Sequence, residues 1–124
     1  MTAQQFRQLA LALPGAVESS HMAHPDFRVG NKIFATLGYP DMACGMIRLS
    51  PGQQPGVIRA APEVFRPAAG AWGRSGSTIV QLANARITHL RPILRQAYEN
   101  VVDRGTLKPA PAGRDKTSGR RRMR

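Results

Sequence analysis

Cysteine is almost absent from this 124-residue sequence, in which Cys44 stands alone. A single cysteine excludes an intrachain disulfide and a zinc site built from cysteines, as is usual in a reducing compartment. The sequence also has no charged segment followed by a signal-type apolar core, and no apolar run near the ~20 residues that cross a membrane. We therefore expect a soluble, cytoplasmic protein without a membrane partner.

Acidic residues are scarce as well, with seven Asp and Glu against 18 Lys and Arg, a net charge of +11. So few carboxylates offer few pairs for general acid–base catalysis. Residues 105–124 hold seven of the basic residues and one acid, so that +6 lies there and +5 in residues 1–104. A basic balance in both parts favours an acidic partner such as nucleic acid.

Recognisable catalytic and metal-binding motifs are missing too. His21 and His24 are three residues apart, but no acidic cluster accompanies them, and His89 is isolated. Such a set is a weak metal signal, and we expect structural or solvated roles for all three. Gly73-Arg74-Ser75-Gly76 lacks the lysine and the spacing of a phosphate-binding loop. The sequence predicts a protein that is not an enzyme, with no cofactor and no metal.

Helical periodicity is present at both ends of the folded part. Thr2 and Gln5 form a capping-box pattern before a helix over residues 3–13. An apolar stripe predicts a closing helix that begins near Thr88 to Leu90 and ends near Asp103, which places Pro92 in its harmless first turn. The helix over residues 51–60 is poor, because proline and glycine interrupt it, and it is either broken or begins near Pro55.

Extended segments lie between these helices. A residue before proline avoids the helical region, so His24-Pro25-Asp26 is predicted to be a turn or loop. The predicted strands are Val17 to Met22, Phe27 to Val29, Ile33 to Leu37, Cys44 to Leu49 and Ser77 to Leu82.

The hairpin around Gly30-Asn31 allows two registers. A two-residue loop pairs Arg28 with Ile33. A three-residue loop pairs Phe27 with Ala35 and Val29 with Ile33, and places all the aliphatic side chains on one face, with Arg28 and Phe34 on the other. Since a slip of one residue reverses every side chain, the hydrophobic pattern favours the longer loop.

The stretch around Trp72 contains the only tryptophan of the chain. An indole usually anchors a pocket, and two interpretations of the stretch remain open: a tight loop that plugs the end of the core, or a basic, aromatic contact surface. Gly73 and Gly76 permit a positive φ or a close backbone approach, and Arg74 adds a permanent cation at the tip.

The chain contains an ordered set of short motifs: Leu13-Pro14-Gly15, His24-Pro25, Phe27-Arg28-Val29, Lys32-Ile33-Phe34-Ala35, Leu49-Ser50-Pro51, Gln53-Gln54, Phe65-Arg66-Pro67, Trp72-Gly73-Arg74, Gly76, Thr78 and Ala97-Tyr98. This ordered set resembles the MmcQ/YjbR family over roughly residues 2–104. The resemblance implies an α+β fold of two layers, an antiparallel sheet with helices on one face, similar to secretion chaperones and in the order of roughly α-β3-α-β2-α. It also implies a "double wing" DNA-binding type of domain. Pro55-Gly56 departs from the family's helix-forming residues.

The domain organisation that follows is one α+β domain over residues 1–104 and a disordered basic tail over 105–124. Helices on one face leave the other face of the sheet open, and cations with aromatic rings on that face suit DNA or another nucleic acid. The predicted binding residues are Arg28, Lys32, Arg48, Trp72 and Arg74, with Arg120, Arg121 and Arg122 of the tail.

Two other functions remain open from the sequence. The open sheet or a sheet edge suits a protein- or peptide-binding module, and a pocket beneath Trp72 suits a small ligand. The choice between DNA and RNA and the oligomeric state are also open.

Overall fold

A computed structural model describes residues 1–102, which form one six-stranded antiparallel sheet and four α-helices. The strands lie in the order β1-β2-β3-β4-β6-β5. The predicted α+β class is confirmed, while the predicted tail lies outside the described residues. The elements are α1 (Ala3–Leu11), β1 (Val17–His21), β2 (His24–Val29), β3 (Lys32–Leu37), β4 (Cys44–Arg48), α2 (Gln54–Ala60), β5 (Phe65–Pro67), α3 (Gly70–Arg74), β6 (Ser77–Gln81) and α4 (Ile87–Val101).

The main core lies between the sheet and a layer of helices. The ring of Phe6 on α1 packs 6.1 Å from that of Phe27 on β2, and Phe34 on β3 packs edge-on against Tyr98 on α4 at 5.5 Å. A side chain at Gly45 on β4 would meet the Phe6 ring, so the alternate residues of β4 point away from the helices. We call that opposite side of the sheet the open face, although it is open only in part, because a second buried cluster of Cys44, Met46, Ala68 and Ile79 covers some of it.

The predicted starts of the first two helices are confirmed. Gln5 N–H donates to the Thr2 hydroxyl at 3.1 Å and Thr2 N–H donates to the Gln5 side chain at 2.9 Å, a complete capping box. Helix α2 begins at Gln54, so the late start near Pro55 is correct: proline is tolerated in the first turn, where its missing N–H has no partner.

The closing helix differs from the prediction at its start. It begins at Ile87, so Pro92 lies inside it rather than in its first turn. Its apolar stripe packs into the core through Leu90, Leu94 and Ala97. Burial of that stripe overrides the loss of one backbone hydrogen bond at the proline.

The turn predicted at His24–Asp26 is wrong, because those residues belong to β2. The chain reverses at Met22 and Ala23, whose φ values are +50° and +68°, and His21 pairs with His24. Two consecutive positive φ values form the two-residue turn that matches strand twist. Neither residue is a usual turn former, so local sequence gives little sign of this reversal.

The longer loop predicted between β2 and β3 is also wrong. Val29 pairs with Lys32 and Arg28 with Ile33 around a two-residue turn at Gly30-Asn31. A register shift then restores the predicted pair of Phe27 and Ala35. The extra residue of this β-bulge lets the strand keep both the tight turn and the aliphatic register beyond it.

The two-residue turn exchanges the predicted faces of Ile33 and Phe34, and the bulge restores the predicted register from Ala35 onward. Phe34, expected on the open face, is buried against α4. Ile33 instead shares the open face with its partner Arg28. The strand count also differs from the implied order, since four strands precede α2, and β5 (Phe65–Pro67) is not among the predicted strands.

Candidate functional site

The open face carries a cavity of about 350 Å³. Its floor comes from the central strands and includes Ile33, Thr36 and Met46. His21 and Met22 line it from the β1–β2 hairpin, and the remaining wall is formed largely by Arg48, Trp72, Ser75 and Ser77. Within residues 1–102, no acidic side chain lines the cavity, and Arg48 is the one lining residue there with a permanent charge.

Helix α3 brings Trp72 to this cavity, and it corrects the predicted loop, since Gly70–Arg74 is helical. The helix lies very close to neighbouring backbone: a Cβ at Gly73 would overlap the carbonyl oxygen of Ala68. At Gly76 the φ is +109° and a Cβ would overlap the carbonyl oxygen of Leu49. The predicted need for glycine at both positions is confirmed.

Trp72 is 54% exposed although it is the largest side chain of the chain. It ends a row of four aromatic rings whose neighbouring centroids lie about 6 Å apart: His21 to His24 at 6.3 Å, His24 to Tyr39 at 5.8 Å and Tyr39 to Trp72 at 5.9 Å. This row connects the β1–β2 hairpin to α3. The rings support one another and leave a large area of indole accessible to a ligand.

Arg28 lies on the open face, but its charge is balanced. Its Nε donates to Oδ1 of Asp26 at 2.7 Å and its Nη2 donates to Oδ2 at 3.0 Å. The Asp26 carboxylate is fully buried and also lies 2.7 Å from Nδ1 of His21. The hydrogen bond from Arg28 is the largest influence that lowers the pKa of Asp26, and it outweighs the effect of desolvation.

The other predicted cations divide between two sides of the sheet. The guanidinium of Arg48 has no ion pair within residues 1–102, and Arg74 is exposed directly before Ser75 of the cavity wall. Lys32 is the first residue of β3 rather than a loop residue, and it pairs with Val29, whose side chain is in the main core. Its side chain therefore begins on the side of the helix layer.

The structure thus brings Arg48 and Trp72 together in one cavity, places Arg74 beside them, and joins Arg28 to the hairpin end through Asp26. It does not bring Lys32 to the same face. Arg120, Arg121 and Arg122 lie outside the described residues.

Sequence reasoning missed the ion-pair network of His21 and Asp26. A strand from residue 24 puts His24, Asp26 and Arg28 on one face by simple alternation. This alternation is visible in the sequence, but it applies only if the chain turns at Met22-Ala23. Pro25 favours a turn at residues 24–26 instead.

Two negative findings apply to residues 1–102. No three His, Cys, Asp or Glu side chains in this part of the chain are grouped so that they could hold a metal ion. Within the same range, no helix combines the length and the apolar character needed to span a membrane.

Comparisons with known proteins show one family, from a family model, and one fold, from a solved structure. The YjbR family model matches residues 11–100. Protein DR2400 of Deinococcus radiodurans, a solved structure with a DUF419 domain, is similar in fold, with a TM-score of 0.70. The match covers 86% of this chain and 83% of that chain at 19% sequence identity. No curated protein sequence matches this chain at a significant level.

Proposed function

This chain belongs to the YjbR family, and we propose that it binds nucleic acid through the open face of its sheet, without catalysing a reaction. One observation carries the proposal: Arg48 and a half-exposed Trp72 line the same concave site, and no carboxylate of the described part of the chain lines it with them. A permanent cation beside an accessible indole suits a partner that has both phosphates and flat bases.

The state of the two cations beside the cavity supports this proposal. Among residues 1–102, Arg7, Arg28 and Arg95 are paired with carboxylates, while Arg48 and Arg74 beside the cavity have no such partner. An unpaired guanidinium at the surface is free to release counterions from a phosphate backbone. We therefore assign phosphate contacts to Arg48 and Arg74, and a supporting structural role to Arg28.

The remaining predicted residues contribute differently in this proposal. The side chain of Lys32 starts on the other side of the sheet, so it contacts a nucleic-acid backbone only at the end of the β2–β3 hairpin. Arg120, Arg121 and Arg122 add positive charge that attracts any polyanion without selecting one. A nucleic-acid partner fits the expected cytoplasmic location.

Charge reversal in the full chain tests the site. The double variant Arg48→Glu, Arg74→Glu is compared with Arg59→Glu, Arg91→Glu, a matched control with the same net charge whose exposed arginines lie on α2 and α4. Affinity for a fluorescent 20-nucleotide DNA is measured by anisotropy over a range of salt concentrations. We expect the first variant to bind about tenfold or more weakly, with a salt slope reduced by about two, and the control to change much less.

Equal weakening by both double variants would assign the binding to net charge and would eliminate this site. A third full-length variant, with Arg120, Arg121 and Arg122 changed to Ser, measures the share of the tail. That share should be similar in the parent and in the Arg48→Glu, Arg74→Glu background, because the tail contacts are not selective.

Exposed apolar side chains favour a second candidate, a protein- or peptide-binding module. Met22 is 86% exposed beside the cavity, and Met42 is 83% exposed. Strand β1 is a sheet edge with an exposed surface, where a peptide is able to add as a further strand. Binding of that kind depends little on salt, so the salt series separates the two candidates.

A further inference from the structure

The cavity on the open face has two apolar surfaces that suit a flat ring. Trp72 forms part of its wall, and Ile33 and Met46 lie on its floor. Its volume of about 350 Å³ is in the lower range of small-ligand sites, of about 300–1,000 Å³. A single base fits such a site, whereas a stacked base pair of a duplex presents only its edges and its backbone to a protein surface.

The hairpin end of the cavity carries a fixed hydrogen-bonding group. Nδ1 of His21 lies 2.7 Å from Oδ2 of Asp26. Asp26 is an ionised carboxylate held by Arg28, so it accepts, and Nδ1 must donate. In the neutral ring, Nε2 is then the nitrogen left as an acceptor, and the His21 ring lines the cavity.

Charge complementarity points to an anionic partner. Among residues 1–102, Arg48 is the one permanently charged side chain that lines the cavity. A nucleotide unit has matching parts: a planar base, N–H groups on the base edge, and a phosphate. The stacking surface and the cation together form one site. A bare phosphate would use only the cation, and an uncharged ring would use only the stacking surface.

We propose that this cavity binds one unpaired base of a single-stranded nucleic acid, stacked on Trp72, with a neighbouring phosphate at Arg48 and an N–H of the base edge donated to Nε2 of His21. The inference rests on the proposed function and narrows its substrate class, since a duplex does not offer an unpaired base. In this proposal, duplex DNA binds the protein only through its phosphate backbone.

The test compares three probes with the full-length protein: a 12-nucleotide oligothymidylate, an abasic 12-nucleotide strand with the same phosphates, and a 12-base-pair duplex. Because Trp72 is the only tryptophan, its fluorescence reports directly on the cavity. We expect oligothymidylate to quench it and to bind about 5- to 150-fold more tightly than the abasic strand. The abasic strand and the duplex should leave the fluorescence nearly unchanged.

Two variants separate stacking from charge. Trp72→Leu should reduce oligothymidylate binding, measured by anisotropy, to the level of the abasic strand and leave abasic binding unchanged. The side chain is half exposed, so the core survives the substitution, which a thermal melt checks. Arg48→Gln should weaken both strands by a similar factor, because both carry the same phosphates.

The role of His21 is tested from the ligand side. An oligomer of N3-methylthymidine lacks the N–H that we assign to Nε2, and it should bind the parent protein more weakly than oligothymidylate. His21→Ala should remove this difference, whereas His89→Ala, which changes a histidine packed on Phe65, should preserve it. A difference that persists in His21→Ala would overturn the assignment of His21.

The failures are distinguishable. Equal affinity for oligothymidylate and the abasic strand, without quenching, would overturn base insertion but leave the phosphate site of Arg48 and Arg74 in place. Tighter binding of duplex than of either strand would also overturn it. No measurable, site-dependent binding of any probe would overturn both the inference and the proposed function.

Discussion

Asp26 and Arg28 lie two residues apart on β2 and form a two-point ion pair, with Nε–Oδ1 and Nη2–Oδ2 distances of 2.7 and 3.0 Å. Residues i and i+2 of a strand share a face, so this pair lies on the open face. Its carboxylate is fully buried and also holds His21 at the cavity. On this one strand, Arg28 therefore balances the charge of Asp26, and Asp26 orients the His21 ring that we propose contacts a ligand.

Stability should depend on pH through this carboxylate. Hydrogen bonding from Arg28 holds the pKa of Asp26 below its ordinary value of 3.8. A lowered pKa contributes stability above the unfolded-state value, and this contribution is lost as pH falls through the lower pKa of the folded state. We expect Asp26→Asn to reduce the free energy of unfolding by about 1–3 kcal/mol at neutral pH.

The measurement is urea unfolding of parent and variant from neutral pH down to about pH 3. The difference should shrink in the acidic part of this range. Glu18→Gln is the control, since that carboxylate pairs with Arg7 at a partly exposed site and should have a small effect throughout. A difference that stays constant with pH would contradict a structural role for the ionised carboxylate.

The two arginines of the open face should behave in opposite ways. Arg28→Met removes the partner of a buried carboxylate, so we expect a lower melting temperature and a nearly unchanged salt slope of nucleic-acid binding. Arg48→Met removes an exposed, unpaired cation, so we expect an unchanged melting temperature and a salt slope smaller by about one. Thermal melts and a salt titration of binding check both variants. A lower melting temperature for Arg48→Met together with a smaller salt slope for Arg28→Met would contradict the roles assigned to the two arginines.

The close approach of α3 to the backbone makes glycine necessary at position 73. A Cβ there would overlap the carbonyl oxygen of Ala68, so Gly73→Ala should destabilise the fold by about 1–3 kcal/mol. The matched control is Gly56→Ala in α2, where the nearest atom is the flexible end of Arg59 at 3.9 Å. That substitution should stabilise by about 0.5–1 kcal/mol. Chemical denaturation measures both changes in the free energy of unfolding. Changes of the same sign in the two variants would contradict this packing of α3.

Phe34 should behave as a core residue. It is fully buried against Tyr98, so Phe34→Ala should cost about 3–5 kcal/mol of unfolding free energy. Ile33→Ala, at a half-buried position of the open face, should cost clearly less. The comparison tests the two-residue turn at Gly30-Asn31: if the two costs were reversed, the register of the three-residue loop would be correct.

Much of the fold was predictable because its signals are local. The capping box of Thr2 and Gln5 is complete in the structure, the apolar stripe of α4 is buried, and β6 lies within one residue of its prediction. Such signals need only neighbouring residues in the chain, namely a hydroxyl near a free N–H, or side chains every three to four positions.

The candidate site was predictable only in part. The importance of Trp72, Gly73 and Gly76 followed from residue types, since an indole needs a surface and glycine permits close backbone contact. The sequence did not reveal that Arg28 is occupied by Asp26 or that Phe34 faces the helices. Both depend on a turn made by Met22 and Ala23 and on an extra residue in β3.

The sequence by itself determined the composition of the interaction: excess positive charge, a single indole, few carboxylates, and helices and strands in nearly their final positions. Only the tertiary structure decided which charges remain unpaired and which residues line one cavity. The physical reason is that strand register and turn geometry are set by the packing of whole faces, and a shift of one residue exchanges the buried side chains with the exposed ones.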